Sequence, residues 1–434
     1  MANFDIPPST ILLPLPGDAA PADDVIRQIL EEKYPGVVIE EADEDYPSDV
    51  PWMLAVDIPE WPETVYLWPE RVDDLPAEAW WPNSELTDEL RDAFESCGVG
   101  LVIETQLEGD DPRVLWRKQL MLALDLGDDA PFIYDDSAMR IVTRYQAESL
   151  MEVPVHPSAR EMMALHAVYD EGDRDPRRLW LHTHGLERAG VANLEAFGVR
   201  GEHHQTAAHL IGLVADRQID GLLQPGKPLV VAPGLTIGLI PLDQALKLVG
   251  PDEVGGPRDR DELHESPRMV LVTPGDDKRQ GFSFFATPVR SLTLDAVLAS
   301  LEHNDLIFYT TAETERMTYL ARYRWPLFLS LWRQRRDHEW LFFVRKPFHT
   351  PNADVSSEHV WFEVTALEAE RIEATLINTP MHARDLALGQ HYDLQAEEIT
   401  DWNISTEDGV YDPSSAVKLA VENGVQLIAP RPVH

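Results

Sequence analysis

The sequence predicts a multi-domain α+β protein, from its length, its composition and the alternation of strand-like and helix-like segments. At 434 residues the chain exceeds the size that one hydrophobic core usually serves, and 44% of its residues are hydrophobic, enough for several cores. Short apolar runs bounded by Pro and Gly alternate with amphipathic segments of helical period. We therefore expect three α+β regions, at residues 1–150, 151–347 and 348–434.

The first region has the segment order of a ferredoxin-like domain. Residues 11–15 form an apolar run that Pro16 and Gly17 close, and residues 23–30 follow as an amphipathic helix that begins with two acidic residues. Further strands are predicted at 37–39, 53–56 and 99–104, and further helices at 84–96 and 112–124. This strand-helix-strand-strand-helix-strand order predicts a ferredoxin-like sheet.

The net charge and the N-terminal sequence limit which partners and which cellular location we expect for the protein. The chain has 36 Lys and Arg residues against 76 Asp and Glu residues, which gives a formal net charge of −40. Such a surface repels phosphate backbones and anionic lipids, so we expect neither a nucleic-acid partner nor a membrane partner. The single cysteine, Cys97, allows no intrachain disulfide, and the N-terminal residues lack the features of a signal peptide. We predict a cytoplasmic protein whose partner is another protein.

The densest chemistry lies in the central region, at residues 177–195, with the sequence RRLWLHTHGLERAGVANLE. If residues 179–184 form a strand, His182 and His184 point to the same face, one pleat apart. Two such imidazoles supply part of the ligand set of many zinc sites. The candidates for a further ligand are Glu187, Glu195, His203 and His204.

The same pair has a structural interpretation, in which the two imidazoles hydrogen-bond buried carbonyl groups and hold a turn in place. The sequence contains no HExxH motif and no phosphate-binding glycine motif. We predict no cofactor on this evidence, with zinc or another divalent metal ion as the alternative.

The last region predicts a small, strongly curved sheet or barrel. Residues 358–365 alternate between apolar and polar side chains, residues 371–377 alternate as well, and turn residues separate these short strands. A final helix is expected after Asp412 and Pro413, with Gly424 as its stop.

Motifs within this region resemble a known family. The segments EHVWFEV, TLINTP, LGQHYDL and EEITDW, within residues 348–404, resemble the YegJ-type C-terminal domain, a bacterial family of unknown function. The stretch HTHGLERAG is similar to the hallmark of an uncharacterised bacterial domain that often precedes it. The resemblance implies architecture and no mechanism. Within its motifs, the interaction-surface candidates are Glu358, Trp361, Asp401 and Trp402, and the alternative for the two tryptophans is packing inside the sheet.

Taken together, these features favour a binding or interaction protein without catalytic activity. The main reason is that the sequence contains none of the recognisable catalytic motifs. The alternative is a metal-dependent hydrolase centred on His182 and His184, in which the ion activates a water molecule.

Overall fold

The chain, seen in a computed structural model, forms two compact units, residues 1–302 (unit 1) and residues 303–434 (unit 2). Among the described helices, none combines the length and the apolar character that a membrane span requires. The structure describes residues 5–42, 50–72, 88–109, 111–151, 154–169, 178–223, 226–232, 234–250, 253–275, 289–302, 311–335, 338–349, 357–368, 370–380, 383, 385–407 and 409–425.

In its described part, unit 1 begins with a seven-stranded antiparallel sheet and four helices. Its strands are β1 (Ser9–Leu15), β2 (Val38–Glu41), β3 (Leu54–Asp57), β4 (Val65–Arg71), β5 (Val99–Thr105), β6 (Phe132–Asp135) and β7 (Arg140–Thr143). Its helices are α1 (Asp23–Lys33), α2 (Asp88–Glu95), α3 (Pro112–Leu126) and α4 (Arg144–Met151). The strand order is β2-β3-β4-β5-β1-β6-β7, so the first strand lies inside the sheet.

Helix α3 shows how the sequence fixes the first core. The side chain of Asp111 accepts a hydrogen bond from the backbone N–H of Arg113, and Pro112 occupies the first helical turn, where its missing N–H costs nothing. The buried amide of Gln119 donates to the backbone oxygens of Ser9 and Ile103, at 2.8 and 2.9 Å, and so ties α3 to β1 and β5.

A second sheet in unit 1 carries the histidine pair. Its strands are β8 (Ala164–Val168), β9 (Arg178–His184), β10 (Asn193–Arg200), β11 (Leu229–Ala232), β12 (Leu235–Pro241), β13 (Arg268–Pro274) and β14 (Val289–Ser291), and its helices are α5 (His204–Ile219), α6 (Leu242–Ala245) and α7 (Asp295–Glu302). The strand order is β11-β12-β13-β10-β9-β8, with β14 paired to β13. Within the described part of the chain, β10 and β13 are parallel and the other pairs are antiparallel.

A sharp turn ends β9. Gly185 has φ +97°, a conformation that L-residues with a side chain rarely adopt. A Cβ atom at this position would also lie 2.9 Å from the Cβ of Ala138 and 3.0 Å from the carbonyl oxygen of Met162. Glycine is therefore required here both by the backbone conformation and by the close packing of the turn against the first sheet.

The two sheets of unit 1 are joined by a fully buried ion pair. Arg188, three residues after this turn, donates to both carboxylate oxygens of Asp135 at the end of β6, at 2.6 and 2.8 Å, and neither side chain is exposed to solvent. The guanidinium also donates to the hydroxyl of Ser9 and to the carbonyl oxygens of Met162 and Gly185. With these partners, the charge is compensated and every arm of the guanidinium is hydrogen-bonded.

Unit 2 consists of three helices and an open antiparallel sheet in its described part. Its helices are α8 (Thr311–Tyr323), α9 (Trp325–Gln334) and α10 (Ala416–Glu422). Its strands are β15 (Leu341–His349), β16 (Ser357–Glu368), β17 (Arg371–Leu376), β18 (His391–Gln395), β19 (Asp401–Ser405) and β20 (Val410–Tyr411), in the order β18-β17-β16-β15-β19-β20. Phe328 of α9 packs against Trp402 of β19 in the core.

The α+β class predicted from the sequence is confirmed. The first sheet has seven strands where a ferredoxin-like motif has four, because β4 and the β6–β7 hairpin add to the strands that the sequence predicts. The C-terminal sheet is open, with β18 and β20 at its ends. The predicted boundary near residue 150 lies within unit 1, and the one at residue 348 lies within β15 of unit 2.

The buried ion pair predicts a large effect of one substitution. We expect Arg188→Ala to lower the free energy of unfolding of unit 1 by about 3–5 kcal/mol, because it leaves the carboxylate of Asp135 buried without its compensating charge. Urea unfolding followed by tryptophan fluorescence measures this difference.

The matched control is Lys247→Ala, which removes an ion pair with Asp243 in which both side chains are 72% exposed. We expect this change to cost less than about 1 kcal/mol. Equal losses in the two variants would contradict the proposed weight of the buried pair.

Candidate metal centre

The candidate site lies on one face of the second sheet, where neighbouring strands bring polar side chains together. His182 of β9 pairs directly with His166 of β8 on one side and with Glu195 of β10 on the other. His184 lies two residues further along β9 and therefore on the same face. Three imidazoles thus share one small area of the sheet.

These three rings are close enough to share one ion. His166, His182 and His184 each offer a ring nitrogen, and the three nitrogens lie within 4.8 Å of one another. Among the described residues, no other group of three or more His, Cys, Asp and Glu side chains lies close enough together to bind one metal ion. The ring centroids are separated by 4.9 to 5.4 Å. We call these three residues the histidine triad.

A fourth imidazole reaches the triad from the short helical turn Glu262–His264, which precedes β13. Nε2 of His264 lies 3.4 Å from Nε2 of His182. On the other side of the ring, Nδ1 of His264 lies 2.7 Å from the carboxylate of Asp261. A carboxylate of this kind commonly orients a metal-binding histidine by accepting a hydrogen bond from the ring N–H that faces away from the metal.

The distance between the two Nε2 atoms matches zinc coordination. Two nitrogens bound tetrahedrally to zinc, with bonds of about 2.0–2.1 Å, lie about 3.3 Å apart. The triad nitrogens lie within 4.8 Å of one another, so small rotations of the side chains are enough to bring any longer separation to this distance. The separation between Nε2 of His264 and Nε2 of His182 already matches it.

Two of the three rings, those of His182 and His184, are buried and held neutral. His182 and His184 are 2% and 4% exposed. Burial, followed by the neighbouring imidazoles His184 and His166, lowers the pKa of His182 far below its ordinary value. Burial and the charge of Arg268 lower the pKa of His184 to about 2. Neutral imidazoles carry the lone pairs that a metal ion requires.

One polar atom within the site has no partner. Nδ1 of His182 is buried, and it has no hydrogen-bond partner in the described part of the chain. A buried polar atom that is left unsatisfied costs free energy, so its occurrence in a folded protein calls for an explanation. An ion bound at Nε2 of His182, the nitrogen that faces His264, would not satisfy this atom, so the case for a metal rests on the arrangement of the rings and not on Nδ1.

The two carboxylates predicted as further ligands have other partners. Glu195 is fully buried, and its oxygens accept from Arg260 at 2.9 and 2.6 Å, from Arg268 at 3.4 Å and from Nε1 of Trp180 at 3.0 Å. Glu187 accepts from the backbone N–H of Gly185 and from the side-chain amide of Asn193. The group of ligand atoms defined above contains neither carboxylate.

The other two candidates for a further ligand also lie outside that group. His203 and His204 lie where α5 begins, and Nε2 of His203 is 3.8 Å from the carboxylate of Glu202. Sequence reasoning did not single out His166 or His264. The structure places His166 in the middle of β8.

Trp180 supports the site from one side. Its indole stacks on His182, with ring centroids 4.0 Å apart, and the guanidinium of Arg260 lies over the indole at 4.9 Å. Gly255 brings the backbone against the same indole, because a Cβ there would lie 2.5 Å from the ring. These contacts leave the His182 ring little freedom to turn away from the triad.

The interaction-surface residues predicted in unit 2 are mostly interior. Glu358, Asp401 and Trp402 are 2%, 7% and 0% exposed, so they do not form the exposed surface that the sequence suggested. Glu358 accepts from the backbone N–H of Ala383, and Nε1 of Trp402 donates to the carbonyl oxygen of Ala321. Trp361 is half-buried with the guanidinium of Arg345 at 5.7 Å. These side chains hold the sheet together.

Asp401 is unusual because it is a buried carboxyl group. Burial raises its pKa to about 7, against the opposing effect of the nearby charge of Arg345. Its Oδ1 accepts from the backbone N–H of Trp402 at 2.8 Å, an interaction that an asparagine in its place would keep. The folded state therefore favours the protonated form of Asp401 more strongly than the unfolded chain does.

This raised pKa predicts how the stability of unit 2 depends on pH. The contribution of Asp401 is fully present below its ordinary pKa of 3.8 and is lost as the pH rises through about 7. We expect Asp401→Asn to become more stable relative to the wild type across that window, by up to about 1.4 kcal/mol for each pH unit. Urea unfolding of both proteins at about pH 5 and about pH 8 measures the difference.

The control for this experiment is Asp393→Asn, since the side chain of Asp393 is 64% exposed and pairs with Arg371 at the surface. A stability difference that does not change with pH in Asp401→Asn, or that changes equally in the control, would contradict the assignment.

Comparison with known proteins gives two partial family matches. Residues 165–272 match a family described as Protein of unknown function (DUF4026) C-terminal, and this segment contains the triad and His264. Residues 322–414 match a family described as Uncharacterized protein conserved in bacteria (DUF2314). No curated protein and no solved structure matches the chain. Two segments of the chain are thus similar to bacterial domains of unknown function.

Proposed function

We propose that the protein binds a divalent transition-metal ion, with zinc as the reference ion, through His166, His182 and His184. The observation that carries this proposal is the convergence of three ring nitrogens within 4.8 Å on a largely buried sheet face. His264 supplies the fourth ligand to the metal when no external molecule is bound, because its Nε2 lies 3.4 Å from that of His182.

The ligand set determines the class of metal. Imidazole nitrogens favour zinc, copper, nickel and similar ions, whereas magnesium and calcium require oxygen ligands. No carboxylate of the described residues belongs to the group that contains the triad. Magnesium and calcium therefore compete poorly at this site, although the acidic surface of the chain attracts them weakly elsewhere.

Binding is better supported than hydrolysis. A metal-dependent hydrolase commonly needs a carboxylate or another base that faces the metal-bound water. The nearest carboxylate in the strand register, that of Glu195, is held by two guanidinium groups and an indole N–H. A carboxylate engaged in this way is a poor proton acceptor, so Glu195 does not supply the base that the hydrolase alternative requires.

The alternative is that the four histidines form a hydrogen-bonded cluster without a metal ion, and the experiment must distinguish the two. With the Nδ1–H of His264 directed to Asp261, Nε2 of His264 accepts a hydrogen bond from the Nε2–H of His182. That arrangement satisfies one nitrogen of His182 and leaves the buried Nδ1 atom without a donor.

The YegJ-type resemblance of residues 348–404 and the hallmark resemblance of the HTHGLERAG stretch belong to this proposal as well. We propose that unit 2 is a YegJ-type domain accompanying a metal-binding unit 1. The family matches support this pairing only in coarse form, as two adjacent bacterial domains of unknown function.

Zinc titration of tag-free, metal-stripped protein tests the proposal. We expect one equivalent of zinc to bind, measured by isothermal titration calorimetry and by elemental analysis after gel filtration. His166→Gln, His182→Gln and His184→Gln should each weaken zinc binding by at least about tenfold, because each removes one of three imidazole ligands.

His204→Gln is the matched control, since this histidine lies at the start of α5 and outside the triad. We expect it to bind zinc as the wild type does. Circular dichroism spectra and melting temperatures of all four variants establish that they are folded. Absence of tight zinc binding by folded wild-type protein, or equal binding by the triad variants, would overturn the proposal.

A further inference from the structure

A large cavity in unit 1 lies directly beside the candidate metal centre. Its volume is about 980 Å³, close to the upper end of the range for small-molecule binding sites. It is bounded by the β11–β12 hairpin, by the C-terminal end of α5 and by the segment that leads from the Glu262–His264 turn into β13. Much of its wall is apolar and includes Leu223, Leu229, Leu239 and Met269.

His264 belongs to both features. His264 contributes to the wall of the cavity, and its Nε2 is 3.4 Å from Nε2 of His182 in the metal centre. The side chain is 10% exposed, whereas those of His182 and His184 lie deeper in the sheet. A molecule in the cavity therefore approaches the metal centre at the position of His264.

The charges around the cavity indicate what such a molecule carries. A divalent ion held by neutral imidazoles keeps its full positive charge, since no described carboxylate joins the triad. Lys227, which is exposed at the cavity, has no ion pair in the described part of the chain. Of the acidic residues there, Asp243 pairs with Lys247, and Glu265 is exposed. Among the described residues, none therefore supplies an ion at the triad with an anionic ligand.

The triad also leaves a coordination position that can exchange. Three protein ligands with a fourth open position are typical of zinc sites that accept an external ligand, whereas four permanent protein ligands are typical of structural sites. The triad strands β8 and β9 are paired in the sheet, whereas His264 belongs to a three-residue turn. An incoming group can therefore replace His264 as a metal ligand or bind beside it.

We infer that the cavity binds a small apolar molecule bearing one carboxylate, and that this carboxylate coordinates the metal ion at the position of His264. The inference rests on the proposed function. The apolar body lies against the leucine-lined wall, and the carboxylate supplies the negative charge that the imidazole ligands do not.

Octanoate is the probe for the test, with octanol as the matched neutral compound. Calorimetric titrations use the full chain in its zinc-loaded and zinc-free forms. We expect octanoate to bind the zinc-loaded protein at least about tenfold more tightly than the zinc-free protein, because only the former offers the metal–carboxylate bond. Octanol should bind both forms equally.

Two variants tie this binding to the cavity. Leu229→Trp and Leu239→Trp each fill part of the cavity with an indole, from β11 and β12 respectively. Each folded variant should retain one equivalent of zinc and lose most of the octanoate affinity, by at least about tenfold. Using both strands keeps the test valid if one variant fails to fold.

The outcomes separate this inference from the proposed function. Zinc-loaded protein that shows no gain in octanoate affinity, an equal gain for octanol, or unchanged binding in the folded tryptophan variants overturns the inference and leaves the metal site standing. A wild-type protein that binds no zinc overturns the proposed function and this inference together.

Discussion

The ion pair between Arg188 and Asp135 is the contact on which the arrangement of unit 1 depends. Both side chains are fully buried, and both carboxylate oxygens of Asp135 accept from the guanidinium. Burying two charges is costly, and the cost is recovered only where the geometry is good and the remaining donors are satisfied. The contacts of Arg188 with Ser9, Met162 and Gly185 meet that condition. The pair thereby fixes the turn after β9 against the first sheet.

The position of that turn determines where the histidines lie. His184 is the last residue of β9, and Gly185 packs so closely against Ala138 and Met162 that no side chain fits there. The end of the strand therefore cannot slide, and the strand register keeps His182 opposite His166. A one-residue slip would turn both β9 histidines to the other face of the sheet. The triad is thus a consequence of how the turn is held.

Local sequence pattern predicted what depends on local structure. The alternation of residues 179–184 placed His182 and His184 on one face, and β9 has that arrangement. The contribution of His166 depends on which strand pairs with β9 and in what register. The contribution of His264 depends on where the chain places a turn that lies 82 residues after His182 in the sequence. Neither is encoded in a short window, so pattern reasoning did not find them.

In unit 2 the sequence predicted the strands but did not show which of their side chains are exposed. The motifs of the last region made Asp401 and Trp402 interaction-surface candidates, with packing inside the sheet as the alternative for Trp402. Both are buried, because α8 covers one face at Trp402 and Asp401 is enclosed on the other side. Whether a sheet face is covered depends on where the helices pack, which the strand sequence does not contain.

The location of the proposed metal ion, among His166, His182, His184 and His264, is the property to measure. The strongly acidic surface can hold zinc by itself, so stoichiometry alone does not give the position. X-ray absorption at the zinc edge, on protein loaded with one equivalent, distinguishes the two cases directly. We expect a shell of nitrogen ligands at about 2.0–2.1 Å with the scattering pattern of at least three imidazoles. A shell made only of oxygen ligands would contradict it.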